Sequence, residues 1–117
     1  MISRKLDANS KAAAYFLDLM GNEKRLLIMN HLAGGELSVG VLAEKVQLSQ
    51  SALSQHLAKL RAYGLVDARR GGKAVYYYCS SGAARELLVM LDSFLADGRP
   101  LTDPRYVAEK LRRLRVA

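Results

Sequence analysis

The sequence has few of the residues on which disulfide, metal and nucleophile chemistry depend. Its 117 residues include one cysteine, Cys79, and two histidines, so an internal disulfide is excluded and a zinc site is not expected. It contains no G-x-S-x-G, H-E-x-x-H or phosphate-loop motif, the signatures of common hydrolase, protease and nucleotide sites. We therefore expect a protein that is not an enzyme and that carries no metal and no cofactor.

Long apolar runs and targeting segments are also missing. No stretch approaches the roughly 18 apolar residues that a membrane-spanning helix needs, and the N-terminus MISRKLDANS lacks the apolar centre of a signal peptide. We therefore expect a cytoplasmic protein without a membrane partner. Acidic residues are the minority, 11 against 18 basic ones, which gives a net charge of +7 and a pI of about 9.8. This excess favours a polyanionic partner, most often nucleic acid.

The stretch from Ser38 to Leu60 has the pattern of two short helices joined by a tight turn, with Ser38 and Ser49 placed to cap them. In the second helix, leucines at positions 53, 57 and 60 form a narrow apolar stripe that must face a core. The opposite face is small and polar, which suits close approach to base edges in a major groove. The best candidates for contacts to base edges are Ser51 and Gln55, followed by Gln50 and Ser54. Ser49 is predicted to cap the helix and can also touch a phosphate. Lys59 is predicted to contact the phosphate backbone of the DNA.

His56 lies nearer the apolar boundary of that helix. Two interpretations stay open for it, a contact to phosphate or a base edge, and a packing role beside the leucines. Arg61 points away from the polar face, so a phosphate contact and a solvated charge are equally acceptable for it.

Two β-prone segments follow, LVDARR and KAVYYYCS, and Gly71-Gly72 between them predicts a hairpin. The cations at its tip, Arg69, Arg70 and Lys73, are predicted to contact phosphate or enter the minor groove. A helix-turn-helix followed at once by a basic hairpin is a winged helix-turn-helix. The predicted fold is therefore mainly α with a small β-hairpin, and double-stranded DNA is the predicted partner.

The first and last core helices, about Asp7 to Met20 and Ala83 to Leu95, carry more apolar side chains than one small domain can bury. This excess predicts a homodimer. We expect one DNA-binding and dimerisation domain over residues 1–98 and a basic helical extension over 99–117, with its helix starting near Asp103. That extension could be a solvated tail, a dimer arm or an extra DNA contact. The predicted dimer interface comprises Tyr15, Phe16, Leu19, Leu87, Leu91, Phe94 and Leu95.

Cys79 ends the second strand of the predicted hairpin. It is interpreted first as a small buried hydrophobe and otherwise as a redox sensor, which would need an intermolecular bridge or a sulfenic acid. A redox-responsive repressor is therefore one alternative function. A winged-helix module that binds protein or RNA is another, although the polar helix face and the basic hairpin argue against it.

The stretches NEKRLLIMNHL, ELSVGVLAEKVQLSQSALSQHLAKLRAYGLV and RRGGKAVYYY resemble the ArsR, or arsenic-repressor, family of winged-helix transcriptional regulators. The resemblance covers roughly residues 12 to 95, and SQSALSQHL is most similar to the branch of the rhizobial nodulation repressor, which senses no metal. It implies a homodimeric repressor that binds an imperfect inverted repeat in promoter DNA and is released by a signal the sequence does not identify. The family's metal ligands are missing, since Ser38-Val39-Gly40 stands where a Cys-x-Cys-like element occurs and the last core helix has no histidine.

Overall fold

The computed structural model describes residues 1–102 and residue 105. The chain divides into two compact units, Met1–Arg85 and Glu86–Ala117. The predicted C-terminal helix starting near Asp103 lies, apart from Arg105, outside the described residues. In chain order the elements are α1 (Arg4–Ala8), α2 (Ser10–Met20), α3 (Glu23–Ala33), β1 (Leu37–Ser38), α4 (Val39–Val46), α5 (Gln50–Ala62), β2 (Val66–Gly71), β3 (Ala74–Cys79) and α6 (Gly82–Ala96).

The N-terminal helix differs from the sequence-based prediction, because the expected single helix from Asp7 to Met20 is two helices. The Ser3 hydroxyl accepts the Leu6 N–H at 3.2 Å and starts α1 earlier than expected. Asn9 then leaves the helical conformation, and its side-chain amide donates to the Lys5 carbonyl at 2.8 Å. An asparagine that bonds its own local backbone competes with helix continuation, which explains the break.

The core of the first unit is built from the apolar faces of α2 to α5, together with the start of β2 and the end of β3. Arg25 of α3 is the one buried charged residue among the described residues, and its guanidinium donates to the carbonyls of Leu19 at 2.7 Å and Asp18 at 3.1 Å. These carbonyls belong to the C-terminal end of α2, where a cation is favoured by the helix dipole. Arg25 therefore ties α2 to α3. The fully buried large side chains of this unit are Leu19, Ile28, Met29, Leu32, Leu42, Val46, Leu53, Leu57, Leu60 and Val66.

The predicted hairpin is one part of a three-stranded antiparallel sheet in the order β1-β3-β2. The third strand was not predicted as a sheet strand because β1 contains only Leu37 and Ser38, too short for a pattern. The predicted Gly71-Gly72 turn is shifted by one residue. Gly71 is the last residue of β2, and the turn is formed by Gly72, at φ +62°, and Lys73.

The start of helix α6 is fixed by contacts within the first unit. The Ser81 hydroxyl accepts the Ala84 N–H at 3.1 Å, and Arg85 donates to the carbonyls of Ala33 at 3.1 Å and Cys79 at 3.0 Å. After α6, Gly98, the last residue of the predicted DNA-binding and dimerisation domain, takes a positive φ of 70°. No helix within the described part of the chain is long and apolar enough to cross a membrane.

Candidate nucleic-acid interface

Helices α4 and α5 form the predicted helix-turn-helix, and both predicted caps are present. The Ser38 hydroxyl accepts the Val41 N–H at 3.4 Å, and the Ser49 hydroxyl accepts the Ala52 N–H at 3.1 Å. Between them, Gln47 takes the left-handed conformation at φ 56° and ψ 50° and ends α4. Lys24 of α3 donates to the Val46 carbonyl at 3.1 Å. The turn between α4 and α5 is therefore held by the Ser49 cap and the left-handed Gln47, and by the hydrogen bond from Lys24 of α3.

Helix α5 presents one apolar and one polar face, as its sequence predicts. The three leucines of its stripe are at most 1 % exposed, so they fix which side of the helix faces solvent. Within the described residues, no hydrogen bond engages the side chains of the predicted base-reading residues, so their donors and acceptors are available to a ligand. The exposed polar positions are Gln50, Ser51, Ser54, Gln55 and Lys59.

His56 lies at the boundary of the two faces and is half-buried. Burial, followed by the positive charges of Arg25 and Lys59, lowers the pKa of His56 from its ordinary value of 6.5. In the free protein this imidazole is therefore less readily protonated than an ordinary histidine. Of its two interpretations, the packing role is the one that this environment favours.

The wing, which comprises β2, β3 and their turn, holds its three tip cations in different ways. Arg69 donates through Nε to Glu36 Oε2 at 2.7 Å and through Nη2 to Glu36 Oε1, and its Cζ lies 4.9 Å from the centre of the Tyr76 ring. The hydrogen bonds from Arg69, together with its charge, lower the pKa of Glu36. Arg70 and Lys73 are exposed and take part in no ion pair among the described residues.

A second ion pair connects α5 to the wing. Arg61 Nε lies 3.2 Å from Asp67 Oδ1 on β2, so the charge of Arg61 is directed at the sheet and not at the polar face. Of the five Lys and Arg residues between Ser49 and Tyr78, Arg61 and Arg69 are thus paired with carboxylates. Those left for phosphate contacts are Lys59, Arg70 and Lys73.

Glu36 is a residue of this region that the sequence analysis did not select. It lies just before β1 and 33 residues from Arg69, so no helical or strand period relates the two side chains. Only the addition of β1 to the edge of β3, which the sequence did not predict, brings them together. The local sequence gave no signal either, because no Lys or Arg lies between Arg25 and Lys45.

The predicted dimer residues of the first unit differ in exposure. Tyr15 is 51 % exposed, Phe16 is half-buried, and Leu19 is only 2 % exposed, so Leu19 belongs mainly to the core of its own protomer. Tyr15 and Tyr63 place their hydroxyl oxygens 2.9 Å apart and their ring centres 5.0 Å apart. With Phe16 and Leu19 they line an open groove of about 740 Å³ beside α2. Tyr63 was not among the predicted dimer residues.

In the second unit, Leu95 is 62 % exposed, whereas Leu87, Leu91 and Phe94 are half-buried. Two further residues of α6, Val89 and Met90, are exposed to 69 % and 53 % and were not predicted. Helix α6 therefore has apolar area on more of its circumference than the leucine spacing indicated.

Cys79 is 4 % exposed, and its Sγ lies 3.5 Å from the Ser81 carbonyl oxygen. A thiol in this position is shielded from solutes, which favours its interpretation as a small buried hydrophobe. A redox role stays a hypothesis that nothing in these surroundings favours. The described residues include no group of three or more His, Cys, Asp or Glu side chains that could hold a metal.

A capped helix-turn-helix with an exposed polar face, followed by a three-stranded sheet with a basic tip, defines a winged helix-turn-helix DNA-binding domain. Residues 22–68 match the profile of the bacterial regulatory protein family arsR. The chain is 45 % identical to the nodulation protein NolR of Rhizobium meliloti, over 87 % of this chain and 84 % of that protein. It is 44 % identical to the transcriptional activator HlyU of Vibrio cholerae, over 75 % and 82 % of the two chains.

Solved structures show the same fold. The crystal structure of NolR from Sinorhizobium fredii matches with a TM-score of 0.71 and 47 % identity, covering 80 % of this chain and 94 % of that one. The solution structure of a homodimeric winged helix-turn-helix DNA-binding domain from Mycobacterium bovis matches with a TM-score of 0.67 and 29 % identity, covering 82 % and 88 %. This chain belongs to the ArsR family and is a DNA-binding transcriptional regulator, which confirms the predicted family and class.

Proposed function

We propose that this regulator is a homodimeric repressor that binds an inverted-repeat operator in promoter DNA without a bound metal. The observation that carries the proposal is the exposed polar face of α5, whose side chains have no hydrogen-bond partner within the described residues and face away from three buried leucines. A helix with such a face can enter the major groove, where its side chains reach base edges.

Within this proposal, Gln55 has the geometry to read adenine through two hydrogen bonds, and Ser51 contacts a neighbouring base edge. Gln50 and Ser54 supply additional polar contacts, and Ser49 can offer its N-cap region to a phosphate. Lys59, Arg70 and Lys73 neutralise phosphates and fix the orientation of the protein on the duplex.

The dimer is supported by the apolar side chains that each unit exposes. Tyr15 on α2 and Leu95 on α6 are more than half exposed, and a monomer would leave them in water. The M. bovis domain with the same fold is described as homodimeric. A two-fold dimer would present two α5 helices to two half-sites about one helical turn apart, so the operator should be an inverted repeat.

Repression is favoured by the resemblance to the arsenic-repressor family, whereas HlyU is named an activator. The relatives named above are regulators, and we propose that this chain likewise acts by binding and not by turnover. A bacterial transcriptional regulator works on the chromosome, so we propose a cytoplasmic location.

A selection of genomic fragments by the purified, reduced protein, read by sequencing, tests the proposal. Recovery of a shared inverted repeat overlapping promoters, with equal recovery in the presence of a chelator, is the expected result. Capture that is sensitive to salt but shares no sequence would contradict operator recognition and leave a non-specific binder. The matched control is Gln55→Ala, which should retain salt-sensitive capture while enrichment of the repeat decreases.

A further inference from the structure

The side chain of the tip cation Arg69 extends across the sheet, from β2 over β3 to the segment before β1. Register places Arg69 opposite Tyr76, and Tyr76 opposite Ser38, so the three residues share one face across β2, β3 and β1. Glu36 lies two residues before Ser38, in the direction of the base of the hairpin, because Leu37 pairs with Tyr77. The side chain of Arg69 therefore crosses the ring of Tyr76 and bonds Glu36 on the far side of β3. We call Glu36, Arg69 and Tyr76 the wing clamp.

Gly71 closes the clamp on the side of the tip. A Cβ atom at this position would lie 2.9 Å from Tyr76 Cε2 and 3.0 Å from Arg69 Nη1, closer than ordinary van der Waals contact. The φ of Gly71 is not positive, so the glycine is needed for space and not for an unusual backbone conformation. The last residue of β2 thus packs directly on the ring and the guanidinium.

The geometry of the clamp distinguishes it from an ordinary surface ion pair. Two parallel hydrogen bonds between a guanidinium and a carboxylate fix relative orientation, which a single contact does not. The cation also lies over an aromatic ring, which restricts it further. A two-stranded hairpin is only marginally stable by itself, so a connection from β2 to the segment before β1 restrains the direction in which the wing projects.

We propose that Glu36 is a positioning residue for DNA binding, which holds Arg69 over Tyr76 and thereby fixes the wing so that Arg70 and Lys73 reach the phosphate backbone. In this role Arg69 is a structural cation and not the phosphate contact that the sequence predicted. The inference rests on the use of the wing in the proposed operator complex. It has an unusual consequence: the carboxylate of Glu36 would support DNA binding, although its negative charge alone would weaken binding to a polyanion.

The test compares Glu36→Ala, Arg69→Ala and the double variant on the operator recovered by the selection, with affinity measured over a series of salt concentrations. We expect Glu36→Ala to weaken binding by at least about threefold, although it removes a negative charge. In the Arg69→Ala background the same change should no longer weaken binding, because the two residues act as one unit. The matched control is Glu44→Ala, which removes an exposed carboxylate of α4 that has no ion pair in the described part of the chain.

The proposal is overturned if Glu36→Ala binds the operator as tightly as the wild type or more tightly. Charge alone predicts that result, and we expect it for the control Glu44→Ala. Both single variants should lower the salt slope to the same extent, because both release the wing. A slope lower in Arg69→Ala than in Glu36→Ala by about one unit, the value for one lost phosphate contact, would also overturn the proposal, because it would place Arg69 itself on the DNA.

Amide hydrogen exchange of residues 69–76 in the free protein provides a readout that needs no operator. The clamp predicts faster exchange in Glu36→Ala than in the wild type and in Glu44→Ala, and equal protection in all three contradicts it. If the wild type recovers no inverted repeat, the proposed operator fails while this measurement still decides whether the clamp restrains the wing.

Discussion

Helix α5 and the wing contribute to the same proposed DNA surface, but they are held in place by different means. Helix α5 is fixed by Leu53, Leu57 and Leu60, all at most 1 % exposed. The outer end of the wing has no buried residue, and its connection to the rest of the sheet includes the half-exposed pair of Arg69 and Glu36. One element is oriented by apolar packing and the other by hydrogen bonds at the surface.

The two mechanisms respond differently to change. Removing apolar atoms from a packed core costs transfer free energy and leaves a cavity, so the whole domain is destabilised. An exposed ion pair contributes little to global stability, so its loss would alter the position of the wing and not the fold. Substitutions in α5 and in the wing should therefore separate stability from binding.

The largest effect is expected for Leu57→Ala. The side chain is 1 % exposed at the centre of the α5 stripe, and truncation should lower the free energy of unfolding by about 2–5 kcal/mol. Urea denaturation measures the loss, and Ser54→Ala on the exposed face of the same helix is the control, with no change beyond about 0.5 kcal/mol. A loss below about 1 kcal/mol in Leu57→Ala would show that other contacts orient α5.

The same contrast explains which parts of the structure could be predicted from the sequence. The stripe of leucines repeats at helical spacing and Ser49 precedes it, so local pattern was sufficient for α5, its cap and its exposed face. The wing depends on β1, which has two residues, and on a pair separated by 33 positions. No local period records such a contact, so the predicted role of Arg69 was assigned from charge alone.

The break at Asn9 shows a second limit of local pattern. The apolar residues of α2 continue the spacing of a longer helix, but one side-chain bond from Asn9 to the Lys5 carbonyl competes with helix continuation. The burial of Leu19 within its own protomer could not be predicted for a similar reason. Helical spacing shows that a residue lies on an apolar face, but it does not show whether the same protomer or a partner covers that residue.

Gln55→Ala should change recognition without changing stability. The side chain is exposed and has no hydrogen bond within the described residues, so urea denaturation should be unaffected, whereas affinity for the operator should decrease by about 1–3 kcal/mol. Titration against the operator and against a shuffled duplex separates sequence-specific from non-specific DNA binding. An equal loss on both duplexes would mean that Gln55 contacts the DNA backbone and reads no base.

Gly71→Ala tests the wing with a smaller change in packing. The added methyl group would contact the Tyr76 ring and the Arg69 guanidinium, and relieving that contact should cost about 1 kcal/mol of stability. Gly82→Ala is the matched control, because no heavy atom lies within 4 Å of the position that the new Cβ would take and the φ of Gly82 is not positive. If both variants unfold at the same urea concentration as the wild type, the side chains around Gly71 accommodate a methyl group freely and the clamp is looser than its distances indicate.

The smallest expected effect concerns two arginines of like charge, Arg70 and Arg61. Arg70 is exposed at the wing tip without an ion pair in the described residues, whereas Arg61 lies 3.2 Å from Asp67. If Arg70 neutralises a phosphate, Arg70→Ala should reduce the slope of log affinity against log salt by about 0.9, the value for one released counterion on duplex DNA. Arg61→Ala should leave the slope nearly unchanged, because its guanidinium is directed at β2. Equal salt slopes in Arg70→Ala and Arg61→Ala would show that the formal charge of each cation, and not its partner, determines its contribution to binding. The distinction between paired and unpaired cations on this surface would then have no functional meaning.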